Sequence, residues 1–144
     1  MVTDITNNYT SPAGKEFTLT AGRFAGITPA SLVLDIGCGY GEGVCNLASE
    51  FRCKAEAIDI NDENIEDARE LSVERKVSHL INFKKQDILD ANYGNGSFEL
   101  ILAEGGVLSF IGRKKGLKLA NNWLGDRGWI TFSDLVLLKG VNVI

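Results

Sequence analysis

The chain has 144 residues, 44% hydrophobic and 24% charged, with a formal net charge of −4. These values suit a single globular domain spanning 1–144, and the acidic balance argues against a nucleic-acid partner, which would favour a basic face. Cys38, Cys45 and Cys53 form no CxxC pair and His79 is the sole histidine, so neither a zinc site nor a disulfide framework is expected.

The opening MVTDITNNYT has no basic region and no apolar stretch, so it does not read as a signal peptide. No apolar run approaches the ~20 residues of a membrane span. A cytoplasmic protein with reduced thiols and no membrane partner is expected. Residues 1–11 are polar and read as a loose N-terminal segment. After Pro12, the residues Phe17, Ala21 and Phe24 recur on one helical face, stopped near Gly26 and Pro29. Ser31 to Ile36 is a short apolar run without polar alternation, the pattern of a buried strand. From Gly41 onward, Val44, Leu47, Ala48 and Phe51 recur at helical spacing. Cys53 to Ile60 reads as a second strand. Asn61 or Asp62 can cap the next helix, which turns Ile65, Ala68, Leu71 and Ser72 inward. Leu80 to Phe83, extending to Asp87, is a third strand. The Gly- and Asn-rich stretch Ala91–Ser97 is a loop, and Phe98 to Ala103 is a fourth strand. Arg113 to Leu124 reads as a helix with Leu119, Ala120 and Trp123 inward and Gly125 as its stop. Gly128 to Ser133 is a fifth strand. Strands alternating with helices predict a parallel α/β sheet with helices on both faces.

The stretch LVLDIGCGYGEG places Gly37, Gly39 and Gly41 where the first strand meets a helix. Bare backbone there allows a tight turn and the close approach of a ligand, and the helix N-terminus offers free N–H groups. No Gly-Lys-Ser/Thr follows, which excludes a P-loop. The dinucleotide pattern GxGxxG also fails, because its third glycine would fall on Glu42. Asp35 precedes the glycines. Asp59, at the end of the second strand, can accept hydrogen bonds from both hydroxyls of a ribose. Asp87, at the end of the third, can accept from an adenine amino group while Ile60 and Ile88 pack on the ring.

In their order and spacing LDIGCGYG, AIDIN and KKQDIL resemble the class I S-adenosylmethionine-dependent methyltransferases, over about Ser11 to Asp134. The resemblance implies a Rossmann-like parallel sheet of about five strands in the order 3-2-1-4-5. It implies S-adenosylmethionine as cofactor, with Gly37, Gly39 and Gly41 against its methionine and ribose parts and Asp35 toward the amino end. Asp59 would hold the ribose, and Asp87 and Ile88 would frame the adenine. Ala103 and Glu104 would lie under the methionine amino group and face the substrate. Methyl transfer from a sulfonium needs an in-line approach to an excellent leaving group, so positioning can supply most of the protein's contribution, up to ~7–11 kcal/mol. Glu104 is the candidate for proton removal or substrate binding, with a merely structural carboxylate as the competing reading. Asp134 is a weaker candidate for substrate contact.

The fourth strand is not followed by Asn/Asp-Pro-Pro-Tyr/Phe or by a Pro-Cys nucleophile, and the paired glutamates of protein-arginine enzymes are absent. AEGGVLSFIG instead resembles small-molecule members of the ubiquinone/menaquinone-biosynthesis-like group, which implies a small-molecule substrate. The family's usual last two strands are missing, so a C-terminally truncated domain is expected, with an apolar tail from Val136 to Ile144. The exposed edge of the fifth strand is then where a homo-oligomer would form. Two other classes stay open: a non-catalytic module binding S-adenosylmethionine or S-adenosylhomocysteine, and a nicotinamide-dependent oxidoreductase, which should show GxGxxG.

Overall fold

The computed structural model describes residues 14–134. The expected loose segment 1–11 and the apolar tail Val136 to Ile144 lie outside them. The elements run α1 (Gly14–Phe24), β1 (Leu32–Ile36), α2 (Glu42–Phe51), β2 (Lys54–Asp59), α3 (Asp62–Glu74), β3 (Ile81–Lys85), β4 (Phe98–Ala103), α4 (Val107–Ile111), α5 (Arg113–Trp123) and β5 (Leu124–Phe132). All four strand pairings are parallel, and the order is β3-β2-β1-β4-β5, as expected.

Side chains alternate across the sheet as the two-residue strand period requires. Val33, Ala55, Ala57, Leu100 and Leu102 pack with Val44 and Leu47 of α2 and Ile65 and Ala68 of α3. On the opposite face Leu34, Ile36, Ile58 and Ile101 pack with Ala120 and Trp123 of α5. Phe98, Leu34, Leu100 and Ile101 are fully buried, each contributing roughly 1.5–3 kcal/mol of transfer free energy. Tyr93 wedges edge-on against Phe98 and Trp123 at centroid distances of 5.0 and 5.2 Å. The loop before β4 is thereby pinned to the second core.

Four local expectations are corrected. The face of α1 that packs inward carries Thr18, Leu19 and Gly22 rather than Phe17, Ala21 and Phe24; Phe24 is 74% exposed. A Cβ at Gly22 would collide with the Phe51 ring of α2, so small residues make the helix contact and the aromatic ones lie outside it. The third strand starts at Ile81 and ends at Lys85, because short 3-10 turns take up Ser78–Leu80 and Ile88–Asp90. Helix α5 ends at Trp123 and β5 begins at once with Leu124, so Gly125 lies inside the strand. Finally, α4 occupies a stretch with no element expected. No helix among the described residues is long and apolar enough to cross a membrane.

Candidate functional site

Parallel strands deliver their carboxyl ends to one edge of the sheet, and the order changes direction at β1, flanked by β2 and β4. There a cavity of about 530 Å³ opens, lined by Ile36 and Gly37 at the end of β1, Asp59 and Ile60 at the end of β2, Asp87 and Ile88 beyond β3, and Glu104 after β4. This is the location physical reasoning assigns to ligands in open α/β sheets, and the size suits a cofactor.

The loop after β1 is fastened to its neighbours by backbone bonds. The N–H groups of Gly37 and Cys38 both donate to the Ile58 carbonyl, at 2.8 and 3.0 Å. Gly41 donates to the Cys38 carbonyl at 2.9 Å and caps α2. Two glycines are demanded by the geometry. Gly37 has φ +67°, and a Cβ there would come within 2.9 Å of Val107 on α4. Gly41 has φ +81°, and its Cβ would meet the Ala68 Cβ of α3 at 2.8 Å. Both positions combine a left-handed backbone with a close neighbour.

Asp59 organises the centre of the wall. Its Oδ2 accepts from the Gly39 N–H at 2.9 Å, and its Oδ1 accepts from the Asn61 N–H at 2.9 Å and from Asn64 Nδ2 at 3.2 Å. The helix cap itself is Asn61, whose side chain accepts from the Glu63 N–H. Asp87 stands exposed at the cavity edge, its Oδ1 accepting from the Leu89 N–H at 2.9 Å. Ile88 is buried in the floor, whereas Ile60 is 69% exposed at the rim.

Asp35 lies beneath the glycine loop, 5% exposed. Burial pushes its carboxyl well above the usual range, and the nearby Glu104 and Asp59 carboxylates push it further, against a backbone hydrogen bond from Val44. Glu104 is half-buried and accepts from the Thr18 hydroxyl of α1 at 2.9 Å. Asp35 Oδ2 and Glu104 Oε2 would each lie 3.6 Å from a Cβ placed on Gly43, so the two carboxylates converge on the first turn of α2. With Asp59 beside them, they favour a ligand that brings positive charge and hydroxyl donors. The remainder of the cavity is an apolar slot.

The structure thus brings Gly37, Asp59, Ile60, Asp87, Ile88 and Glu104 together around one cavity. Gly39, Gly41 and Asp35 stand behind its wall. Ala103 is fully buried within β4, with Glu104 reaching the cavity in its place. Asp134 accepts from Ser109 Oγ and from Arg113 Nε, closing the end of β5 against α4 and α5. Sequence reasoning missed Val107, Phe110 and Ile111 of α4, which form one side of the cavity. Their i, i+3, i+4 spacing after the Gly105–Gly106 pair was the available signal.

A family profile described as "Methyltransferase domain" matches residues 33–128. The chain is 32% identical over 106 residues to sarcosine/dimethylglycine N-methyltransferase of Halorhodospira halochloris, a match covering 74% of this chain and 38% of that protein. It is 27% identical over 128 residues to phosphoethanolamine N-methyltransferase 1 of Zea mays, covering 89% of this chain and 25% of that protein. The chain therefore spans well under two thirds of the length of these curated relatives. Among solved structures, it resembles a SAM-dependent methyltransferase from Thiobacillus denitrificans in complex with S-adenosyl-L-homocysteine. The TM-score is 0.76 at 20% identity, over 88% of this chain and 51% of that one. This last likeness is one of fold.

Proposed function

The chain belongs to the methyltransferase-domain family, among the class I S-adenosylmethionine-dependent methyltransferases, and from that premise we propose that it binds S-adenosylmethionine and transfers the methyl group to a small molecule. The observation that carries this reading is the cavity at the carboxyl ends of β1, β2 and β4, apolar along one side and edged by Asp59, Asp87 and Glu104. An adenosyl group carrying a sulfonium and an amino-acid end presents a flat apolar ring, two ribose hydroxyls and two positive charges. The cavity offers a partner for each.

In this reading Ile58, Ile60 and Ile88 frame the ring and Asp87 accepts from its amino group. Asp59 accepts from the ribose, its carboxylate being already aimed by the Gly39 and Asn61 N–H groups. Glu104 faces the ammonium, with Asp35 behind the wall, and Gly37 lets the backbone approach. Bound S-adenosylmethionine supplies an activated methyl group. The chain's own residues hold it, exclude water with the apolar side chains of α4, and fix the direction of attack. Glu104, at the substrate side of β4, is the group placed to hold an acceptor's proton or its charge.

The named activities of the curated relatives favour a small-molecule acceptor over nucleic acid, and a small amine is the first class to try. The buried free cysteines favour a reducing compartment, the cytoplasm. Burial pushes the Cys45 thiol up to about 12 and the Cys53 thiol up to about 11, which keeps both unreactive. The outer edge of β5 gives a second copy a place to pair. The test is incubation with methyl-labelled S-adenosylmethionine and a panel of small amines and hydroxylated metabolites, beside an RNA control. Label in a small molecule supports the proposal. Label in RNA alone, or cofactor binding without transfer to any acceptor, contradicts it.

A further inference from the structure

Asp59 is buried among its neighbours yet lines the cavity. A carboxylate has two oxygens and about four acceptor sites between them. Most of those sites are already taken. Oδ2 accepts from the Gly39 N–H, in the loop after β1, at 2.9 Å. Oδ1 accepts twice, from the Asn61 N–H at 2.9 Å and from Asn64 Nδ2 at 3.2 Å. The donors at Gly39 and Asn61 are backbone groups, placed by the path of the chain. The bond to Asn61, two residues on, is the local turn that an aspartate commonly closes. The donor at Asn64 is of another kind, a side chain in the first turn of α3.

Asn64 is half-buried and does not itself line the cavity. Facing a carboxylate, only the NH2 end of its amide can bond, and the distance lies within the range of such a bond. Its effect is on the acceptor sites left over. Two neighbouring ribose hydroxyls match a carboxylate best when each donates to its own oxygen. With Oδ1 accepting twice, that arrangement finds no site there. The remaining site is on Oδ2, beside the bond from Gly39.

We propose that Asn64 is a positioning residue: by filling the second site of Oδ1 it restricts Asp59 to one of the two ribose hydroxyls, the one on the side of the glycine loop. The proposal rests on the reading of the cavity as an S-adenosylmethionine site, and it narrows that reading, under which a carboxylate alone would take both hydroxyls. Without Asn64, each oxygen keeps one backbone donor and one free site, which is what two hydroxyls need.

The test uses S-adenosylhomocysteine and its 2′-deoxy and 3′-deoxy analogues, each titrated calorimetrically into the full chain and into Asn64→Ala. In the parent, loss of one hydroxyl is expected to weaken binding about tenfold, the scale of a bond to a charged acceptor, and loss of the other by no more than about twofold. In Asn64→Ala both analogues are expected to bind about fivefold or more weakly than S-adenosylhomocysteine binds the same variant. A loss of stability alone would move all three ligands together and leave this selectivity unchanged. Melting curves establish that the variant is folded, and Asn64→Ser, whose hydroxyl is too short to span the gap to Oδ1, carries the same comparison if Asn64→Ala does not fold. Comparable losses for the two analogues in the parent, or the parent's asymmetry retained in the variant, would overturn the role of Asn64. A parent indifferent to both hydroxyls would remove Asp59 from the ribose, and one that binds none of the three nucleosides would overturn the cofactor reading itself.

Discussion

Replacing Asp59 by alanine separates the two tasks assigned to its carboxylate. In the ligand-free protein Asp59 accepts from the backbone N–H groups of Gly39 and Asn61 and from Asn64 Nδ2, at 2.9, 2.9 and 3.2 Å. Truncation leaves two backbone donors without their acceptor. Asp59 lines a cavity that water can enter, so the loss stays near the lower end for an unsatisfied donor, about 1 kcal/mol each and about 2 kcal/mol together. For a domain of this size that corresponds to a melting temperature lower by roughly 4–8 °C. The second task is to accept from ribose hydroxyls. Its loss should weaken S-adenosylhomocysteine at least tenfold, about 1.4 kcal/mol. Asp59→Asn retains one acceptor oxygen but turns an amide N–H toward the other donor, so it should melt between the parent and the alanine variant and still bind weakly. Thermal melts give the first quantity and calorimetric titration the second. A folded Asp59→Ala protein with parental affinity would remove Asp59 from the site. A parental melting temperature would refute its part in holding the glycine loop.

Two further substitutions test the wall behind the cavity. The Asp35 carboxyl is raised by burial first and then by Glu104 and Asp59, against the Val44 N–H, and it also lies near the Cys38 and Cys45 thiols. A carboxyl raised on folding contributes stability that is full below its ordinary range and is lost as pH rises through the raised value. Asp35→Asn should therefore melt like the parent near pH 4 and gain on it progressively toward neutral pH, by about 1 kcal/mol, while weakening S-adenosylhomocysteine. Parallel melts across that range would contradict the assignment. Gly41→Ala must adopt φ +81° and press on Ala68, a cost of about 2–4 kcal/mol from dihedral strain and overpacking together. Gly26→Ala, at φ +65° with nothing near its Cβ, should cost only about 1 kcal/mol. Equal losses in denaturant titration would show that Ala68 is not the reason for Gly41.

Much of the architecture was legible because the strands are short apolar runs ending in carboxylates. Asp59, Asp87 and Glu104 could be found as the polar residues that close Lys54–Asp59, Ile81–Lys85 and Phe98–Ala103 or follow them. What hydrophobic pattern could not reveal is contact made through small residues. Gly22 lies on the inward face of α1 beside Thr18 and Leu19 because α2 approaches too closely there for a side chain, while Phe17 and Phe24 supply the periodicity that misleads. Helix α4, with five residues after a glycine pair, is too short for a periodic pattern to outweigh its glycines. Yet it brings Val107 onto Gly37 and Phe110 and Ile111 into the cavity wall. Gly125 reads as a helix stop by residue type, but Leu124 already pairs with Phe98 and the strand runs on through Gly125. The bond from Thr18 to Glu104 joins residues 86 positions apart and has no local signature at all.

In the proposed function the cavity at the ends of β1, β2 and β4 takes an S-adenosyl nucleoside. Calorimetric titration of the parent chain with S-adenosylhomocysteine, and separately with NAD, tests it most directly. Saturable binding of S-adenosylhomocysteine at one site per chain is expected, with no comparable heat from NAD. Tight binding of NAD with none of S-adenosylhomocysteine would contradict it.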